Sequence, residues 1–162
     1  MMDIATYPGN LQDGLLVDPN VYLAIGAEVG GIFEVATYKW DSSGEFKHVK
    51  EFNFPGMLME DVLKLEIGFV QNILTFMLML RNETTGEDFH DVYIQKQTSK
   101  EGILLNEFYH YNVYDASLSG TGERMLVSDQ SGLYLHKTED GSLVTSMGTN
   151  SFYRVQVDRY AR

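Results

Sequence analysis

Four histidines, His48, His90, His110 and His136, carry the side chains whose ordinary pKa lies near neutrality, so a general base or a metal site in this sequence would draw on them first. None stands at a ligand spacing such as His-Glu-x-x-His, and with no cysteine the sequence offers neither a thiolate nucleophile nor a cysteine-held zinc site. His48 and His90 each follow a glycine-containing turn and would meet if those turns belonged to adjacent hairpins; two separate surface histidines fit the same positions. The acidic turns at residues 41–45, 82–88 and 138–142 present oxygens of the kind calcium takes. None has the Asp-x-[Asp/Asn]-x-[Asp/Asn]-Gly order with a distal Glu, and Asp, Asn, Ser and Gly dominate tight turns for backbone reasons alone. A Gly-x-Ser-x-Gly elbow, a phosphate loop and a dinucleotide fingerprint are absent. No catalytic residue, metal ligand or cofactor is therefore assigned, and the sequence reads more as a binding protein than as an enzyme. The tripeptide Asn82-Glu83-Thr84 matches a glycosylation sequon and equally matches turn chemistry.

The densest run of chemistry-bearing side chains is Glu107-Phe108-Tyr109-His110-Tyr111-Asn112-Val113-Tyr114-Asp115. On a strand, Glu107, Tyr109, Tyr111 and Val113 share one face, and Phe108, His110, Asn112 and Tyr114 the other. Both faces then carry aromatic bodies with polar tips, which suit a ligand cavity or a protein interface; a central strand packed on both sides accounts for the same residues. Trp40, the single tryptophan, shares a strand face with Tyr38, where the pair could stack on a sugar or an apolar ligand or pack at the rim of a core. The candidate ligand-binding set is Tyr38, Trp40, Glu107, Tyr109, His110 and Tyr111.

What must position these residues is a succession of hairpins. Ile32–Trp40 runs into the turn at 41–45 and returns as Phe46–Phe54; Ile73–Arg81 runs into 82–87 and returns over 89–96; 133–137 meets Asp140-Gly141 and returns over 142–147. Residues 152–160 alternate, Tyr153, Val155 and Val157 against Arg154, Gln156 and Asp158, as a half-buried strand does. The expected fold is all-β, an antiparallel hairpin meander forming a barrel or a sandwich. The competing expectation is an α+β fold with a helix near 57–75, because Leu58, Val62, Leu65, Phe69, Ile73, Phe76 and Leu80 also fall at helical spacing. Turn signals at Pro8-Gly9-Asn10, Asp13-Gly14 and Asp18-Pro19-Asn20 predict an irregular N-terminal arm over 1–20, ahead of a single β-rich domain over 21–162. Ile25-Gly26, Gly44-Glu45 and His48 recur 42 residues on as Ile67-Gly68, Gly86-Glu87 and His90, a spacing compatible with repeated β units such as propeller blades and equally with chance matching of hairpins.

Composition narrows the function classes. With 44% apolar and 22% charged residues a packed core is expected, and a chain of 162 residues buries about 70% of its unfolded surface on folding. Twelve basic against 23 acidic residues, without a basic cluster, argue against nucleic acid. The longest apolar run, Phe76 to Leu80, is too short to span a bilayer. The first residues lack a basic stretch followed by an apolar one, so no secretory signal is expected, and the lack of cysteine fits the cytoplasm or a virion assembled there. The expected function is a non-catalytic β-domain acting in binding or assembly, as a subunit of a larger complex or particle, with a protein partner or a homo-oligomer. The alternatives are a β-barrel small-molecule carrier or cofactor-free isomerase or lyase using Glu107, Tyr109, His110 and Tyr111, and a carbohydrate-binding module using Trp40.

Overall fold

Tight turns set the plan of the molecule. In the computed structural model, which describes residues 11–17, 20–40, 44–81, 90–105, 113–148 and 154–157, Gly30 and Gly31 both have positive φ and reverse the chain in two residues, leaving Val29 opposite Ile32. Gln71 and Asn72 do the same between Val70 and Ile73, with φ of 50° and 64°. Positive φ at both central positions gives a turn whose twist matches that of the flanking strands, and Asn accepts it more readily than most side chains. Gly44 and Gly141, at φ of 81° and 73°, occupy two of the expected reversals; the third, at Gly86, lies outside the described residues.

The strands joined by these turns are β1 (Leu11–Val17), β2 (Asn20–Val29), β3 (Ile32–Trp40), β4 (Phe46–Phe54), β5 (Val62–Val70), β6 (Ile73–Arg81), β7 (His90–Lys96), β8 (Ile103–Leu104), β9 (Val113–Leu118), β10 (Arg124–Asp129), β11 (Gly132–Lys137) and β12 (Leu143–Met147). Every described pairing is antiparallel, so the all-β hairpin meander is the fold of this chain. One sheet has the order β1-β2-β3-β4. The other runs β12-β11-β10-β9-β7-β6-β5 with β8 paired to β7, and among the described residues its two halves meet through the pair His90 with Val113. Three meanders result: β1–β4, β5–β8 and β9–β12. Among the described residues neither sheet closes on itself, and the first meander packs on the second through a shared core.

Two sequence expectations need correction in detail. Over 57–75, where a helix was the competitor, the chain makes one 3-10 turn at Met59–Asp61 and then β5 and β6. The helical spacing arose because β6 is buried on both faces from Leu74 to Met79, which turns a strand into a continuous apolar run whose period is ambiguous. Within the stretch expected to be an irregular arm, residues 11–17 form β1, fully paired to β2. Asp13-Gly14 is not a turn there: the Asp13 carboxylate leaves its own strand to accept the N–H of Ile67 at 2.7 Å. The 42-residue repeat does not join equivalent places either, since Ile25 lies on the second strand of its meander and Ile67 on the first of its own. The spatial repeat is in the opening strands, which begin at residues 11, 62 and 113.

The core divides at the central meander. On one side Leu15, Tyr22, Ala24, Phe33, Val35 and Phe54 pack on Leu65, Ile67, Leu74, Phe76 and Leu78. On the other, Met77, Met79, Val92 and Ile94 pack on Val113, Ala116, Leu118, Met125 and Val127. No helix among the described residues is long and apolar enough to cross a membrane.

Candidate functional site

The opening strands β1, β5 and β9 stand side by side, and each carries a polar residue that fastens the next. Asp13 Oδ2 accepts the N–H of Ile67 at 2.7 Å; Glu66 Oε2 accepts the N–H of Leu118 at 2.6 Å; Ser117 Oγ accepts the N–H of Val157 at 3.1 Å. The register is the same each time. The residue that offers an acceptor directly precedes the one whose N–H has been taken, giving the pairs Glu66-Ile67 and Ser117-Leu118 and making residues 154–157 the next member of the file. A second contact from Val155 N–H to Asp115 Oδ2, at 2.9 Å, holds that segment in place. Residues 154–157 form no ladder of their own, yet Val155 and Val157 are half-buried and Arg154 and Gln156 exposed, the expected alternation. A buried N–H left without a partner is costly, so these side chains supply what a sheet ladder would otherwise supply between opening strands that are not paired with one another.

Lys64 lies at the centre of this strip. Its ammonium donates to Asp115 Oδ1 at 3.0 Å and to Ala116 O at 2.7 Å, and sits 3.2 Å from Glu66 Oε1. Two carboxylates that are 12% and 14% exposed are thereby paired with one cation, the condition under which largely buried charge is tolerated. Beside it opens a cleft of about 530 Å³ lined by Lys64, Tyr114, Asp115, Arg154, Val155 and Gln156. Of the aromatic run at 107–115, Tyr114 and Asp115 reach this cleft; Glu107, Tyr109, His110 and Tyr111 lie outside the described residues.

Tyr38 and Trp40 are elsewhere, on the face of the first meander turned away from the core. There the strand register lines up Leu16, Val21, Trp40 and Phe46, one residue from each of four strands, and beside them Gly14, Leu23, Tyr38 and His48. The Tyr38 ring meets the His48 ring edge-on at 5.5 Å, and His48 approaches Glu51 at 3.6 Å. His48 and His90 therefore have different neighbours: His90 faces Arg81 and Val113. His136 is fully buried, with Nδ1 2.9 Å from the carbonyl of Gly141. In the acidic turn at 138–142 the Asp140 carboxylate accepts the Ser142 N–H at 2.9 Å, and the Thr138 hydroxyl donates to the Gly122 carbonyl. The Ser142 hydroxyl and N–H hold the Asp140 carboxyl below the usual carboxylate range, and burial pushes the Tyr22 and Tyr93 phenols up. Among the described residues no three His, Asp or Glu side chains converge in a metal-holding cluster.

Asp13, Lys64, Glu66, Ser117 and Gln156 were not among the residues singled out from sequence. The signal that was available is a Lys and a Glu inside the apolar strand Val62–Val70, at positions where the alternation alone would have been satisfied by any polar residue.

No family model and no curated protein matches this chain. Among solved structures it is similar to the crystal structure of the WD40 domain of SCAP from fission yeast, with a TM-score of 0.53 and 14% identity, over 90% of this chain and 36% of that one. At that identity the likeness is one of fold alone, and the chain spans little more than a third of the matched structure. WD40 domains are propellers of four-stranded sheets set around a channel, and the antiparallel meanders of this chain resemble that β-fold.

Proposed function

We propose that this chain is a non-catalytic binding and assembly unit that docks a protein on the outward face of its first meander. The observation supporting this reading is the uncharged row Leu16, Val21, Trp40 and Phe46, in which Leu16, Trp40 and Phe46 are 46%, 37% and 44% exposed. Single exposed apolar residues are ordinary; a contiguous row across a whole sheet, extended by Leu23 and Tyr38, is what a protein interface core offers. A large aromatic at such a position supplies most of the binding energy when it is covered. Fold alone does not select a function, so the proposal rests on this face.

Native electrophoresis of the protein in extracts of its own cells tests the proposal. The chain is expected to migrate in a complex that Trp40→Glu abolishes and Val144→Glu, on the far edge strand, leaves intact. Migration as a free chain, or a complex that survives Trp40→Glu, would count against it. The cleft beside Lys64 supports a second reading, a small-molecule carrier, because its volume exceeds the roughly 300 Å³ at which ligand pockets start. It ranks second because the Lys64 ammonium is already engaged by Asp115, Glu66 and the Ala116 carbonyl.

A further inference from the structure

The fastening that joins the opening strands has a direction, and its two ends complement each other. Asp13 serves Ile67, Glu66 serves Leu118, and Ser117 serves Val157. Continuing the register, the next acceptor is the residue before Val157, Gln156, whose side-chain carbonyl is suited to the task and is exposed. Going back along the file, the N–H in the position of Ile67 and Leu118 belongs to the residue after Asp13, which is Gly14. Among the described residues, a side chain built at Gly14 meets nothing within 4 Å. At the equivalent depth on β5, a side chain at Gly68 would overlap the backbone of Gly122. Gly14 also lies in the row with Leu23, Tyr38 and His48, beside the apolar row of Leu16, Val21, Trp40 and Phe46.

We propose that the outward face of the first meander is covered by a second copy of this chain, entering from its 154–157 end, with Gln156 of one copy accepting the N–H of Gly14 of the other. The contact is heterologous, the 154–157 end of one copy against the β1 face of the next, and such contacts close into a ring when the rotation allows. Two copies bring together six meanders, within the range of about four to eight sheets over which propellers close. Closure would cover both ends of the file at once and give the assembly unit proposed above a definite partner, itself. The inference rests on that reading for the choice of face and on the fastening register for the choice of occupant.

The single tryptophan provides the readout. Sedimentation velocity and tryptophan emission are measured together on the purified chain over a hundredfold concentration range. The expected result is a dimer, with Trp40 emission moving to longer wavelength as the chain is diluted and the face is uncovered. Gly14→Lys, placed in open space and compatible with the fold, is expected to weaken association about thirtyfold or more, with unchanged circular dichroism and melting of the monomer. Gln156→Leu is expected to weaken it about fivefold through loss of one hydrogen bond. A monomer throughout the range overturns the inference, as does a dimer whose association and emission ignore Gly14→Lys. In that case the native complex and its response to Trp40→Glu still decide the broader reading independently.

Discussion

Between the first and second meanders the contact is made by rings. Tyr22 stacks on Phe69 with centroids 4.3 Å apart, Phe52 lies 4.5 Å from Phe76, and Phe54 closes on Phe76 and Tyr93 at 6.0 and 6.2 Å. Between the second and third meanders the filling is methionine and aliphatic, Met77, Met79, Val92, Ile94, Leu118, Met125 and Val127. Gly68 there lets the β9–β10 turn come down onto β5, where Phe69 N–H donates to Gly120 O at 2.8 Å. Yet both joins share one kind of polar fastening, a carboxylate on a backbone N–H, Asp13 on Ile67 and Glu66 on Leu118, to which the second join adds Lys64 on Asp115 and the Ala116 carbonyl. The register that stacks the sheets is therefore carried by a few polar atoms, and the apolar residues are free to fill each join differently. That freedom follows from the physics: dispersion and burial are non-directional and need only volume, whereas a hydrogen bond fixes position to within a few tenths of an ångström.

The largest expected effect comes from breaking the aromatic join. Phe76 is buried and meets two rings of β4, Phe52 and Phe54, so Phe76→Ala should cost about 3–5 kcal/mol, read as a fall in the urea midpoint at constant m. The same loss with an unchanged slope would mean that the meanders unfold as one. A second transition would mean that the ring-filled join can open while the methionine-filled join holds.

The methionine join should fail differently. Gly68→Ala adds one methyl, but the methyl would overlap the Gly122 backbone, and Gly122 itself sits at φ of 73° over Thr75, so neither side can yield cheaply. About 3 kcal/mol, the upper part of the range for overpacking, is expected. Hydrogen exchange should show the effect first in β9 and β10 amides, with β2 and β3 still protected. Uniform loss of protection would show that the two joins are not separable.

How much of this was legible in the sequence depends on the kind of force involved. The hairpins Ile32–Trp40 with Phe46–Phe54, and Ile73–Arg81 with the strand ending at Lys96, can be read directly, because alternation and Gly or Asp turns are local signals. The turn at Gln71-Asn72 could not, since neither residue demands positive φ, and the apolar run beyond it imitates a helix. Of the candidate site residues, Tyr38 and Trp40 are placed together on one exposed face as their spacing implied. The fastening residues Asp13, Glu66 and Ser117 were invisible because what they hold is a backbone N–H 54, 52 and 40 positions away, and a backbone partner leaves no mark on the sequence that holds it. The 42-residue match joins Ile25 on β2 to Ile67 on β5 and so does not follow the element that repeats in space.

The smallest effect is expected from the fastening itself, and it tests whether the two joins truly share it. Glu66 accepts the N–H of Leu118 and approaches the Ser117 hydroxyl at 3.3 Å, while its other oxygen faces Lys64. Glu66→Leu removes the acceptor and leaves a buried N–H without a replacement, for a cost of about 1–3 kcal/mol. Glu66→Gln keeps one carbonyl in reach of Leu118 and gives up only the attraction to Lys64, which Asp115 and the Ala116 carbonyl still satisfy, so it should recover most of that loss. The Asp13→Leu and Asp13→Asn pair at the aromatic join should behave in parallel, because Asp13 meets Ile67 in the same register. If the amide variants are as damaging as the leucine variants at both positions, charge and not geometry fastens the sheets, and the equivalence that makes Gln156 the next acceptor in the file is lost with it.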